Sequence, residues 1–394
     1  MLIEIILFLL IGIILGVIAG LLPGIHINLV GIILISLSVT LLSSINPVYL
    51  IVLITAMAIS QTFLDFIPSI LLGCPDTETQ LSVLPGHELL KQGKGYEAIL
   101  LTAYGSLAAI FILIIISWPS IILVSKTYDL IKSSIPYILI IVSLLVIFLE
   151  KSKKNSAIVF SLTGILGLIV LKLEVNQSLL PLLTGLFGIS ALSLSIKNKT
   201  IIPPQKIQKP KAKFMAPLTG SLIASFICGF LPGLGGGQAA VIANTISKTN
   251  KKGFLVLLGA TNTLVMGFSF ISLYVISKTR TGAAVAISEI IGQLNTSLLI
   301  LILTVILISG ILSFFITIYL AKFFSQRITK VKYSLLSILI IIFVTIIVII
   351  VSGFMGLIIL IISTLTGIYC ISLGTRRTDM MGCLLLPTIM LYLV

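Results

Sequence analysis

The chain has 394 residues, 58% of them hydrophobic and 9% charged, with a mean hydropathy of +1.28. Soluble domains carry about 25% charged residues, so soluble enzymes, secreted disulfide scaffolds and disordered chains are excluded and a polytopic membrane protein remains. The net charge of +14, from 25 Lys and Arg against 11 Asp and Glu, reads as basic loops held on one membrane face, not as a nucleic-acid surface.

A helix needs about 20 apolar residues to cross the hydrocarbon, so this length holds roughly ten to fourteen segments. Long apolar runs without period-two alternation argue against a β-barrel. The expected segments are 2–22, 25–43, 48–72, 97–124, 135–149, 156–171 and 178–196. Glu4 stands where a signal peptide would carry basic residues, so the first run reads as a retained helix. The one shift in composition follows, Lys197 to Lys213, with six lysines and three prolines; it reads as an extended, solvated linker. Then come 214–231, 234–247, 253–277, 282–321, 334–351, 354–373 and 381–394. The run 282–321 is too long for one simple crossing, and a break is expected at Gly292–Asn295. Cys74, Cys228, Cys370 and Cys383 lie in apolar text without zinc or disulfide spacing.

Internal matches relate the two halves. Gly20-Leu-Leu-Pro-Gly24 recurs as Gly229-Phe-Leu-Pro-Gly233. Gly95 and Gly105-Ser-Leu107 recur as Gly282 and Gly292-Gln-Leu294. Gly164-Ile-Leu-Gly-Leu168 recurs as Gly353-Phe-Met-Gly-Leu357, and Thr184–Ser190 as Thr366–Ser372. The order is kept, so the chain reads as two transmembrane repeats, 1–196 and 214–394, joined by the basic linker 197–213.

Charge gives the orientation. If 2–43 and 214–247 are hairpins bent at Pro-Gly and five later segments of each half cross fully, the loops near 74–95, 150–155, 197–213, 248–252, 322–333 and 374–379 share a side. All basic residues except Lys126, Lys132, Lys172, Lys278 and Arg280 then fall on it, which marks it as cytoplasmic. Both termini are expected outside the cell membrane. An odd number of crossings per half inverts the second repeat, the arrangement of secondary transporters. The expected fold is thus all-α and polytopic, with two inverted repeats, each a Pro-Gly-broken hairpin plus about five segments.

Candidate site residues follow from helix breaks and from polar groups in apolar runs. Pro23-Gly24 and Pro232-Gly233 would leave helix N-termini near the midplane, where partial positive charge suits a carboxylate. Asn28, Gly235 and Gln238 lie just beyond. A second symmetric pair is Ser60-Gln61-Thr62 with Thr261-Asn262-Thr263. These side chains can bond oxygens, although a lone hydroxyl in a helix ordinarily bonds its own backbone. Asp65, a carboxylate within an apolar run, is the candidate coupling-ion ligand. The polar hairpin Gly73–Gln80 and its counterpart Ser277–Gly282 read either as tips of re-entrant loops or as solvated loops. His87-Glu88 is not followed by a zinc-protease spacing, and Gly233–Gly237 follows no strand, so neither a catalytic metal nor a dinucleotide loop is suggested.

These residues resemble the large membrane subunit of tripartite tricarboxylate transporters, the TctA family. The resemblance rests on Gly20–Gly24, on Ser69-Ile-Leu-Leu-Gly-Cys-Pro-Asp76 through Leu84-Pro-Gly86, on Lys91-Gln-Gly-Lys-Gly95, and on Phe230-Leu-Pro-Gly-Leu234 with Asn262. The chain is similar to a short, archaeal-type member. The resemblance implies ion-coupled uptake of carboxylates with a small membrane subunit and an extracytoplasmic binding protein.

The expectation is a secondary transporter for a small organic anion, a di- or tricarboxylate, driven by Na⁺ or H⁺, with no other cofactor and no nucleic-acid partner, embedded in lipid and open to homo-oligomerisation. Two alternatives stand beside it: an intramembrane enzyme, for which Asp65 with Glu289 is the one plausible carboxylate pair, and a non-transporting scaffold.

Overall fold

The computed structural model describes residues 2–22, 46–73, 79–148, 150, 152–197, 202–230, 235–328, 333–375 and 377–393. Their regular structure is helical. In order these are α1 (Leu2–Leu21), α2 (Pro47–Leu64), α3 (Phe66–Leu72), α4 (Val83–Lys91), α5 (Gly95–Phe148), α6 (Lys153–Lys172), α7 (Leu179–Leu183), α8 (Ser190–Lys197), α9 (Met215–Phe230), α10 (Gly236–Ser247), α11 (Lys251–Ile276), α12 (Gly282–Ile291), α13 (Thr296–Arg327), α14 (Tyr333–Ser372) and α15 (Gly382–Leu393). A π-helical stretch, Thr184–Ile189, joins α7 to α8. Among the described residues eight helices are long and apolar enough to cross a membrane, and four shorter apolar helices accompany them.

Capping explains most of the boundaries. Asn46, Asn250, Thr281 and Asn295 each accept a first-turn N–H with the side chain, opening α2, α11, α12 and α13. Gly292, at φ +69°, closes α12, so the long run 282–321 divides where its length and Gly292–Asn295 indicate. One expected division differs. Segments 97–124 and 135–149 lie on one helix, α5, which runs through Pro119 and Pro136. At 54 residues it is about 81 Å long, too long for one crossing, and its polar middle separates the apolar lengths Gly95–Lys126 and Pro136–Phe148. Segments 334–351 and 354–373 are divided as expected, because α14 is broken at Gly353, whose φ +66° and ψ −164° are not helical.

Burial sorts these helices. The stretches Pro47–Leu72 and Lys251–Ile276 are 100% and 94% buried along their most apolar windows and form the centre. α1 and α14 turn rows of Leu and Ile outward, as lipid-facing helices do.

The packing is reciprocal between the halves. If the halves are paired by the order of their helices, as the expected repeats require, α2 answers to α11, α5 to α13, α6 to the later part of α14, and α7–α8 to α15. α5 packs on α11 while α13 packs on α2; α6 packs on α15 while α14 packs on α7–α8. α1 runs parallel to α2, with Gly12 against Leu53 and Ala56, Gly16 against Met57 and Ser60, and Gly20 against Leu64. α9 runs parallel to α11: Ser221 Oγ donates to the Leu257 carbonyl at 3.1 Å and Ser225 Oγ to that of Thr261 at 3.5 Å. α10 folds back on α9, Gly220 lying against Ala243 and Ser247. At 12 residues α10 is about 18 Å long, shorter than the hydrocarbon is thick. The last sequence match does not follow this order: Thr184–Ile189 is the π-helical stretch between α7 and α8, whereas Thr366–Ser372 ends α14.

The α5–α11 contact is backbone-close. A side chain at Gly105 would collide with the Val256 carbonyl, and one at Gly259 with that of Thr102. Ser106 Oγ donates to the Gly259 carbonyl at 3.0 Å. Small residues of this kind let membrane helices approach.

Residues 202–213 are extended and tied down. The Gln205 side chain accepts from the Gly95 N–H at 2.7 Å and donates to the Leu90 carbonyl at 3.0 Å. The Lys206 N–H donates to Gly93 O at 2.7 Å. Glu97 accepts from Lys252 Nζ at 2.5 Å, and Lys251 pairs with Glu88 at 2.5 Å. Three of the loops expected on one face therefore meet. Two more meet where Asn155 Nδ2 donates to Leu373 O at 3.3 Å.

Candidate functional site

The site lies where the two most buried helices cross. α2 ends at Asp65, which turns the chain into α3, and Asp65 is only 6% exposed. Asn262, on α11, donates from Nδ2 to Asp65 Oδ2 at 3.0 Å. Three residues earlier, Thr62 Oγ1 lies 3.1 Å from Thr263 Oγ1. Thr62 also donates to the Ile59 carbonyl at 2.8 Å, which fixes its rotamer. The seam therefore presents a carboxylate, a carboxamide and two hydroxyls inside an apolar core. Oxygens of this kind suit a small hard cation; carboxamide and hydroxyl donors suit a carboxylate.

The other expected residues divide into three groups. Ser60 and Thr261 turn away from the seam: Ser313 Oγ donates to Ser60 Oγ at 2.8 Å, and Thr261 Oγ1 donates to the Leu257 carbonyl at 2.7 Å and to Ser221 Oγ at 3.2 Å. They fasten α13 and α9 to the central pair. Gln61 is buried on α2, one position from each of these faces. Gly235 and Gln238 open α10, where Gln238 Oε1 accepts the Gly235 N–H at 3.0 Å. Pro23, Gly24, Asn28, Pro232 and Gly233 lie outside the described residues. Glu289, the rival partner of Asp65, sits on the exposed side of α12.

Both polar hairpins are anchored on the central helices. Ser69 Oγ lies 2.7 Å from Ser82 Oγ and donates to the Thr79 carbonyl at 3.2 Å. In the second half Ser269 Oγ lies 2.8 Å from Thr281 Oγ1, and Ser272 Oγ donates to the Lys278 carbonyl at 3.2 Å. Arg280 Nη2 donates to the Phe230 carbonyl at 2.5 Å, at the end of α9. Described parts of the first hairpin are thus packed, not solvated: Thr79, Gln80 and Ser82 are fully buried. Three groups escaped the sequence reading: Gln80, buried Asp379 before α15, and the anchoring serines. The signal was there, because Gln80 and Arg280 each follow their anchoring serine by the same interval.

These features define an all-α, multi-pass membrane protein with its polar groups at a buried seam between two halves. The family model described as the tripartite tricarboxylate transporter TctA family matches residues 6–382, and the chain belongs to that family. It is a family of transporters, not enzymes, whose members are membrane subunits of tripartite systems. An uncharacterized protein of Methanocaldococcus jannaschii is 35% identical over 349 residues, 86% of this chain and 87% of that protein. No solved structure matches the chain.

Proposed function

We propose that this chain is the translocating subunit of a secondary transporter for a small organic di- or tricarboxylate, coupled to Na⁺ or H⁺. The observation that carries the reading is the Asp65–Asn262 and Thr62–Thr263 seam, made by one helix from each half at the buried centre. A site shared by two rocking halves can be exposed to either side in turn. Asp65 supplies the negative charge for the coupling cation. Asn262, Thr62 and Thr263 orient oxygens around it, and the α10 N-terminus, with Gly235 and Gln238, faces the anion. The reciprocal helix packing supports inverted repeats. The joined basic loops support a cytoplasmic linker with both termini outside the plasma membrane. The family supports a small membrane subunit and an extracytoplasmic binding protein as partners.

Thermal unfolding of the purified full chain with citrate, succinate and related acids, with and without Na⁺, tests this. A ligand at 100 times its Kd adds about 2.7 kcal/mol, and the cation is expected to enlarge the shift. No shift with any di- or tricarboxylate, with or without Na⁺, contradicts the reading.

A further inference from the structure

The extended strap before α9 carries a charge pattern that neither the seam nor its own fastening uses. From Lys209 to Phe214 exposure alternates residue by residue. Lys209, Lys211 and Lys213 are exposed, and Pro210, Ala212 and Phe214 between them are half-buried. Ala212 and Phe214 pack on the apolar core. An extended chain sends successive side chains to opposite sides, so the apolar side of the strap faces the helices and the three lysines face outward in a row. The row has no acid of its own. Glu97, whose Oε1 accepts the Lys211 backbone N–H at 3.4 Å, is paired with Lys252, and Glu88 is paired with Lys251. Among the described residues no carboxylate pairs with Lys209, Lys211 or Lys213.

The row lies where water gives way to lipid. At one end the strap is fastened to the turn before α5, through Gln205 on Gly95 and Lys206 on Gly93. At the other end the Phe214 ring meets the Tyr104 ring edge-on, with centroids 6.2 Å apart. From Gly95 to Tyr104 α5 advances about 14 Å, so the strap runs down the flank of α5 from its polar turn into the apolar span Gly95–Lys126. The next residue, Met215, is 77% exposed and opens the apolar helix α9. In a membrane-spanning chain such a side chain faces acyl tails. The zone between the hydrated turn and the acyl tails is the headgroup layer. A lysine there lays its stem along apolar surface and lifts its ammonium to phosphate.

We propose that Lys209, Lys211 and Lys213 form a docking surface for the headgroups of anionic phospholipids in the leaflet that this face meets. The proposal rests on the membrane-spanning fold and stands apart from the transport reading. The strap is bonded to the start of α5, and Glu97 ties α5 to Lys252 of α11. Headgroups held by the row therefore set the depth of both helices in the bilayer.

Native mass spectrometry of the purified full chain in detergent, titrated with dioleoyl phosphatidylglycerol or dioleoyl phosphatidylcholine, tests this. Each lysine close to an anionic surface contributes about fivefold in affinity. The Lys209→Gln/Lys211→Gln/Lys213→Gln protein is therefore expected to bind the first phosphatidylglycerol at least about tenfold more weakly than wild type. Its phosphatidylcholine binding and its lipid-free unfolding midpoint are expected to stay level, because the three side chains are exposed. The Lys126→Gln/Lys172→Gln protein, which loses exposed lysines elsewhere, is expected to keep wild-type affinity. The single variants serve where the triple variant does not fold, each weakening binding about twofold or more. Wild-type phosphatidylglycerol affinity in the triple variant, or an equal loss in the Lys126/Lys172 control, overturns the proposal. A wild-type protein that holds the two lipids equally also overturns it, and leaves an acidic protein segment as the partner that the row fits.

Discussion

Asp65 carries the most specific chemistry in the central seam, because it is a buried acid whose partner, Asn262, belongs to the other half. Replacing it by Asn keeps shape and hydrogen-bonding atoms and removes one negative charge. If that charge holds the coupling cation, the Na⁺ or proton concentration needed for half-maximal carboxylate stabilisation is expected to rise at least about tenfold, equivalent to 1.4 kcal/mol. Ion-free unfolding is expected to change little. Equal loss of stability with and without the ion, at unchanged ion dependence, contradicts the role. Asp65 was legible in the sequence because a carboxylate in an apolar run is rare, and Asn262 because the halves could be laid side by side. Ser60 and Thr261 were legible as polar but not as to direction. Each residue turns the helix by about 100°, and only the neighbours Ser313 and Ser221 show which way they face. Gln80 was obscured by its polar surroundings, since Thr, Asp and Glu beside it give the text of a solvated loop.

The elements show the same division. Helix starts at Asn46, Asn250 and Asn295 follow from side chains that cap, so the breaks were readable from local chemistry. The fusion of two expected spans into α5 was not, because the polar text between 124 and 135 reads as a loop and yet continues the helix. A backbone-close helix crossing was likewise invisible as a crossing, though one of its glycines, Gly105, stood in an internal match. Gly105 and Gly259 bring the α5 and α11 backbones together, each against a carbonyl that cannot rotate aside. Gly105→Val is expected to destabilise the protein by about 1–3 kcal/mol or more, the range for overpacking, read as a lowered unfolding midpoint in detergent. Carboxylate affinity of the folded fraction should fall with it, since α11 carries Asn262. An unchanged midpoint would show that the two helices do not pack as described.

For the whole molecule, the reciprocal contacts and the joined basic loops bear on how the chain sits in the membrane. The linker was readable as extended from its prolines and lysines, but its fastening was not, because Gln205 reaches Gly95 and Leu90 across more than a hundred residues of sequence. Labelling of intact cells with an impermeant maleimide tests the orientation in a background with Cys74, Cys228, Cys370 and Cys383 replaced by Ala. Lys126→Cys is expected to react and Lys209→Cys to react only after the membrane is opened; the reverse order contradicts a cytoplasmic linker. The central claim, ion-coupled movement of a carboxylate through a seam shared by two halves, is tested most directly by uptake of labelled citrate or succinate into proteoliposomes holding the full chain. An inward Na⁺ or proton gradient is expected to drive accumulation above the equilibrium level, and the Asp65→Asn protein to lose that accumulation at low ion concentration. Uptake that never exceeds equilibrium under either gradient, or that is equal in both proteins, contradicts the account.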